Sequence, residues 1–424
     1  MKNRSIHKAW FILIGCCIIQ ALSLGLTVNC RGLFYLPILE DFDFGMGALT
    51  TTALISNICS CVVLSFADKV FAKIDCRIVL GTASLLICSS AALMASAQSL
   101  AAFYIAALLE GIGGAFLRNY LLALLLCNWF YQKTGLAMGI ASSFAGVGGV
   151  IASPVINFVI ENLGWRMSYW IMGGLLLLQL PISIFLLRLR PADVGCQPYG
   201  WENDAECSRQ TPPSVEGDTV YTADLAYTIS FWLMLLAILF ISALCAYPNF
   251  LSAIAVNAGH SAEVGAWMTS CCMAGNIACK LTLGRIYDRY GLKIALISGL
   301  IFIPLSLLLL LINSIPIHMV GSLFLGAAMG MNSVMIPVMF RDVYQKIDYK
   351  KYLSYVTMVS SIGYAGTTSL IGCIIDWLGN ETGYPTVLAI GIVCVMIIIL
   401  LLAVSIRGGR KTVEKAVQQH RVIP

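Results

Sequence analysis

Apolar stretches of helix-spanning length recur along this chain and constrain its fold more than any other feature. A helix rises 1.5 Å per residue, so about 20 residues cross the roughly 30 Å of hydrocarbon in a bilayer. Such stretches run at about 10–36, 48–66, 78–97, 101–127, 135–160 and 167–187. Six more run at about 229–257, 263–283, 294–313, 317–340, 353–375 and 385–406. The pattern predicts an all-α integral membrane protein with twelve transmembrane helices. Composition agrees: the chain is 59% hydrophobic and only 11% charged, where soluble proteins run near ~25% charged. That shortage excludes a soluble enzyme, a disordered chain and a nucleic-acid binder.

Twelve crossings place both termini on one side. Cytoplasmic segments of membrane proteins carry an excess of Lys and Arg. With the N-terminus cytoplasmic, twenty-two of the 26 basic residues fall in inner segments. Arg166 alone falls in an outer loop, and Arg31, Arg118 and Lys280 lie within spans. The expectation is a multi-pass protein of a cell membrane, bacterial inner or plasma membrane, with both termini cytoplasmic. The net charge of +5 is then an orientation signal rather than a nucleic-acid patch. Met1–Lys8 is a short basic start with no small-residue cleavage site behind the first apolar run, so that run reads as a retained helix. Most of the sixteen cysteines lie inside apolar runs, as at Cys16, Cys17, Cys59, Cys61, Cys271, Cys272 and Cys394. They read as small hydrophobes; no Cys-x-x-Cys pair has flanking His, so no metal site and no cofactor are expected.

One long polar segment divides the chain. From about Arg188 to Tyr227 it holds Pro191, Pro198, Pro212 and Pro213 with seven acids and three arginines. The expected division is 1–188 for a first six-helix half, 189–227 for a cytoplasmic linker, and 228–424 for a second half with a cytoplasmic tail. The halves echo each other: Asp68-Lys69 follows the second span and Asp288-Arg289 the eighth. Two related halves around a central linker are an architecture of secondary transporters.

Gly284-Arg285-Ile286-Tyr287-Asp288-Arg289-Tyr290-Gly291 resembles the Gly-x-x-x-Asp-Arg-x-Gly loop of the major facilitator superfamily. Around Asp68 the first-half copy is degenerate. Asn128-Trp129-Phe130-Tyr131-Gln132-Lys133-Thr134-Gly135-Leu136-Ala137-Met138-Gly139, followed by Gly164-Trp165-Arg166, is similar to the oxalate:formate antiporter and monocarboxylate porter group within that superfamily. So is Arg188-Leu189-Arg190-Pro191-Ala192-Asp193-Val194-Gly195 with Pro198-Tyr199-Gly200. The resemblance implies a major facilitator fold of two pseudo-symmetric six-helix halves. It also implies that Gly284, Asp288, Arg289, Gly291 and Asp68 form the loops that work as the halves rock.

Four ionisable residues lie deep in spans: Arg31, Glu110, Arg118 and Lys280. Each costs about 2.5–3.5 kcal/mol at a helix centre, so they must face a wet cavity or one another. If the fourth span centres near residue 114, Glu110 lies about 6 Å outward and Arg118 about 6 Å inward, on one broad face. Three cations against one carboxylate favour an anionic substrate, because an anion completes the charge balance in low dielectric. The plainer alternative is that Arg31 pairs with Glu110, Arg118 caps carbonyls and Lys280 snorkels to the inner surface.

The resemblance assigns roles to these residues. Asn276 and Lys280 occupy the places of an Asp and an Arg on the eighth helix of the monocarboxylate porters, and Arg31 lies where those porters carry a Lys. The second essential cation of the oxalate:formate antiporter, in helix eleven, has no counterpart among Ser354, Tyr355, Thr357, Ser360 and Ser361. That argues against a dicarboxylate and for a monoanion. Glu110 is the one acid within a span, and a carboxylate in a dry site can carry a proton, so it is the candidate for proton coupling; the alternative is a permanently ionised partner of Arg31 or Arg118.

The expected substrate-binding residues are Lys280, Arg31, Arg118, Asn276, Tyr355 and Tyr120. The expected function is secondary transport of a small organic anion, a monocarboxylate, by proton symport or anion exchange. The partners are that anion and the lipid bilayer, with no nucleic acid, and the protein is expected to be a monomer. The alternative is export of hydrophobic or amphipathic compounds on the same fold. An enzyme is not expected, because His7, His260, His318 and His420 are scattered and none pairs with a nucleophile in a recognisable spacing.

Overall fold

The computed structural model describes residues 7–118, 125–131, 133–200, 228–344 and 350–421. Hydrocarbon offers no water to satisfy backbone N–H and C=O groups, so each apolar run closes its hydrogen bonds within a helix. The first half carries α1 (Lys8–Gln20), α2 (Tyr35–Asp41), α3 (Met46–Leu64), α4 (Ala67–Lys73), α5 (Cys76–Ser96), α6 (Leu100–Leu117) and α7 (Thr134–Leu176). The second carries α8 (Ile229–Leu244), α9 (Leu251–Asn257), α10 (Ala262–Leu309), α11 (Ile315–Gly330), α12 (Ile336–Tyr344), α13 (Lys350–Leu378) and α14 (Asn380–Arg421). Local chemistry sets several starts. The Asp75 carboxylate accepts the Arg77 N–H at 2.8 Å to cap α5, and Pro316 opens α11, where its missing N–H costs nothing.

Among the described residues, ten helical runs are long and apolar enough to cross a membrane. Two of them are double length, 53 residues for Thr134–Leu186 and 48 for Ala262–Leu309. Each turns at a glycine in the left-handed region, Gly164 with φ 82° and Gly291 with φ 79°. A side chain is strained at such angles, so these glycines are where the chain reverses. Counting each doubled run twice gives the twelve crossings read from hydropathy. The outward faces are apolar, with Phe158 66% and Leu400 67% exposed, as a lipid-facing surface requires.

Where the sequence suggested one span from 101 to 127, α6 ends at Leu117. Arg118 leaves the helix with φ −90° and ψ −136°, and residues 125–129 are helical again. Three π turns also interrupt the helices, at Ala21–Leu26, Ile182–Leu186 and Met331–Met335. Each puts one extra residue in the helical ladder and re-aims the residues beyond it.

Backbone contacts group the chain into two compact units. One is Met1–Arg209 with Asn249–Ala274, the other Gln210–Pro248 with Gly275–Pro424. In the first, the π turn Ala21–Leu26 that follows α1 meets α7 backbone to backbone, since a Cβ on Gly25 would lie 2.8 Å from the Gly148 Cα. The Asn29 amide donates to the Ala145 carbonyl at 2.9 Å, and Tyr35 and Phe250 pack at 5.9 Å between ring centres. At the start of the polar segment, the Trp129 indole donates to the Arg188 carbonyl at 2.7 Å and Asn128 to that of Leu189 at 3.1 Å. Tyr199 exchanges backbone bonds with Trp129 and Tyr131, and its ring packs on Trp10 and Phe130. The Asn-Trp-Phe-Tyr block thus moors residues 188–200. The rest of the expected linker, 201–227, lies outside the described residues.

In the second unit, α10 packs on α11 where Gly275 faces the Leu323 backbone, and α13 packs on α8 where Gly363 faces Leu239. The fifteen described cysteines are all free thiols.

Candidate functional site

The first unit holds a buried ionic cluster. Arg31 sits in a 3-10 turn, Arg31–Phe34, that follows the π turn of the first crossing. Its terminal nitrogen lies 2.6 Å from both oxygens of Glu110 on α6. Arg118, just past the end of α6, reaches back to Glu110 Oε1 at 2.5 Å. Gly114 makes that return possible: a Cβ there would lie 2.6 Å from the Arg118 Cζ. All three side chains are close to nine-tenths buried or more.

One carboxylate therefore serves two guanidiniums, and the cluster keeps a net charge of +1. Arg118 Nε is buried with no hydrogen-bond partner. Thr27, Ser90 and Tyr169 join Arg31 and Glu110 around a cavity of about 30 Å³, room for one water. The pairing of Glu110 with Arg31 or with Arg118 was one of the sequence readings, beside substrate binding and carbonyl capping for Arg118, and Glu110 pairs with both.

The second unit holds a cation of another kind. Asn276 and Lys280 lie one turn apart on α10. Asn276 is 3% exposed, and its Oδ1 is buried with no hydrogen-bond partner. Lys280 is half-buried and makes no ion pair or hydrogen bond among the described residues. Its electrostatic neighbours are the thiols of Cys245 and Cys279, not a carboxylate. Tyr355 lies on α13 with half its surface exposed, and Tyr120 lies outside the described residues.

The loop motif is exposed at Asp288 and Arg289, whose guanidinium lies 5.3 Å from the Tyr290 ring centre. Gly284 has open space around its Cβ position, and Gly291 provides the chain reversal. Asp68 lies on α4. Sequence reasoning missed Asp342, which accepts from the Tyr287 hydroxyl at 3.3 Å and from Arg410 at 3.2 Å and ties the motif to α12 and α14. It also missed Gly114 and Tyr169. The spacing Glu110, Gly114, Arg118 was the available signal, since residues four apart stack on one helical face.

Comparisons with known proteins bear on both halves. Monocarboxylate transporter 12 of Xenopus laevis is 25% identical over 422 residues, covering 90% of this chain and 87% of that protein. Monocarboxylate transporter 12 of Homo sapiens is 25% identical over 404 residues, covering 88% and 76%. Two solved structures share the fold. The nucleoside transporter NupG superposes with a TM-score of 0.70 at 11% identity, covering 94% of this chain and 99% of that one. A bacterial homologue of the human lysosomal transporter Spinster gives 0.67 at 15% identity, covering 97% and 99%. The sequence profile of the Major Facilitator Superfamily matches residues 35–252 and 231–423, and the chain belongs to that superfamily of membrane transporters.

Proposed function

We propose that this transporter moves a small organic anion, a monocarboxylate, by alternating access. One observation carries the reading: Lys280 is an intramembrane cation without an anion among the described residues. A half-buried ammonium costs several kcal/mol unless something completes its charge balance, and no described carboxylate does so. Asn276, one turn away, carries an amide whose N–H groups can donate to a carboxylate once the side chain turns them toward it. The names of the relatives, monocarboxylate transporters, support the same substrate class. In this reading Lys280 receives the carboxylate, and Asn276 and Tyr355 supply hydrogen bonds. The protein acts as a monomer with both termini cytoplasmic.

Lys280→Ala in proteoliposomes is expected to abolish carboxylate uptake while folded protein is recovered in normal amounts. Full activity refutes the role. Indifference to Lys280 together with inhibition by bulky apolar compounds replaces the reading with export of amphipathic molecules.

Two couplings fit the reading, proton symport and anion exchange. Symport assigns the proton to Glu110, which would take it up as one arginine lets go. The pH profile of uptake tests this: in Glu110→Gln the dependence flattens if Glu110 carries the proton. Retained activity with an unchanged profile assigns the coupling elsewhere.

A further inference from the structure

A second polar cluster lies close to Lys280 within the same unit and is bound to no charged group. Ser242 on α8, Asn332 in the π turn Met331–Met335 and Ser360 on α13 form a triangle. Asn332 Oδ1 accepts from Ser242 Oγ at 2.9 Å and from Ser360 Oγ at 2.9 Å, and the two hydroxyls are 2.7 Å apart. The two hydroxyls carry two protons for these three contacts, so both protons are taken up inside the triangle and none is left to donate elsewhere. The amide oxygen is turned to the serines. The amide nitrogen makes no hydrogen bond among the described residues, and it is not sealed in the core, because Asn332 is half-buried. A planar amide held by its oxygen aims its two N–H groups away from the serines. The π turn is what brings Asn332 to this face, by adding a residue to the helix just before it.

The cluster and Lys280 occupy one layer of the unit. The Cys279 thiol donates to the Ala327 carbonyl, and a Cβ on Gly330 would lie 3.5 Å from the Lys280 backbone nitrogen. Lys280 is therefore level with Gly330, two residues before Asn332, or about 3 Å along the axis. On α8, Ser242 is three residues from Cys245, the thiol neighbour of Lys280, or about 4.5 Å. Cys245 itself donates to the Ala328 carbonyl at 3.3 Å, which closes the layer.

We propose that Asn332, oriented by Ser242 and Ser360, is a neutral donor subsite that takes an uncharged oxygen acceptor on the transported anion, about 3 Å along the helix axis from the level of Lys280, which holds the carboxylate. This rests on the anion reading and adds a specificity to it. A plain alkyl carboxylate leaves the two N–H groups facing a methylene. A chain with a carbonyl three or four bonds from its carboxylate satisfies them.

The probe pair is 4-oxopentanoate and pentanoate, which share length and charge and differ in one carbonyl. Dissociation constants are measured on purified full-length protein. Wild type is expected to prefer the keto acid about fivefold to tenfold, the worth of one hydrogen bond in a partly desolvated site. Asn332→Leu brings the ratio to one by weakening the keto acid. Ser360→Ala keeps the amide but frees it to turn, and gives an intermediate ratio. A wild-type ratio of one, or a ratio that survives both variants, overturns the subsite and leaves the anion reading standing. Failure of wild type to bind either acid, or full binding of both by Lys280→Gln, overturns the anion reading and the subsite with it.

Discussion

The two units treat intramembrane charge in opposite ways. In the first, Arg31 and Arg118 close on Glu110 at 2.5–2.6 Å. In the second, Lys280 has no carboxylate partner among the described residues, and the polar groups near it, Asn276 and Asn332, have amide atoms to spare. A carboxylate clamped between two guanidiniums contributes to holding helices in register. A cation left open is poised for something that comes and goes. Burying ions is expensive in either case, so the contrast is between charge paired within the fold and a cation that, in the proposed reading, awaits the substrate.

Variants that invert this contrast show the largest effects. Glu110→Gln leaves two guanidiniums buried against a neutral amide. Breaking a buried pair in this way costs about 3–5 kcal/mol, so thermal unfolding of the purified protein is expected several degrees lower. Unchanged stability would mean the cluster does not hold the unit together. Lys280→Met is expected to do the reverse. It cuts uptake at least about a hundredfold and leaves the melting temperature equal or higher, because a costly buried ammonium is gone. A large drop in melting temperature would make Lys280 structural and erase the difference between the units.

Smaller effects sharpen the picture of what closes the first unit. Gly148 faces the Ala21 backbone, whereas Gly139 has nothing within 4 Å of its Cβ position. Gly148→Ala is expected to cost about 1–3 kcal/mol, the usual penalty of overpacking, and Gly139→Ala to lie within measurement error. Equal stabilities would show that α7 and the π turn after α1 can move apart freely. The smallest effect is expected at the exposed ion pair of Asp41 with Arg166, 2.6 Å apart with both side chains nearly half exposed. Asp41→Asn removes it for at most about 1 kcal/mol, which chemical denaturation can bound.

Much of this was legible in the sequence, for reasons of scale. Helix-length apolar runs are local signals, so the crossings could be read without knowing what each packs against. Charges are too scarce to hide, so Arg31, Glu110, Arg118 and Lys280 stood out by elimination. The loop motif marked the reversal that Gly291 makes. Less visible was anything that depends on small departures from a regular helix. Hydropathy runs straight through 101–127, yet the backbone leaves the helix at Arg118 and folds that side chain back over Gly114. The π turn under Asn332 leaves no mark in composition, and Ser242 reads as one more small residue in an apolar run.

The sequence by itself determined the class of molecule, the number of crossings and the short set of ions that need a partner. Those follow from transfer free energies, which depend on residue type and run length alone. Only the tertiary structure decided which ions find each other. Pairing energy falls off over a few ångströms, and 79 residues of chain separate Arg31 from Glu110. That distance in sequence closes only when the helices pack, and the same packing leaves Lys280 open.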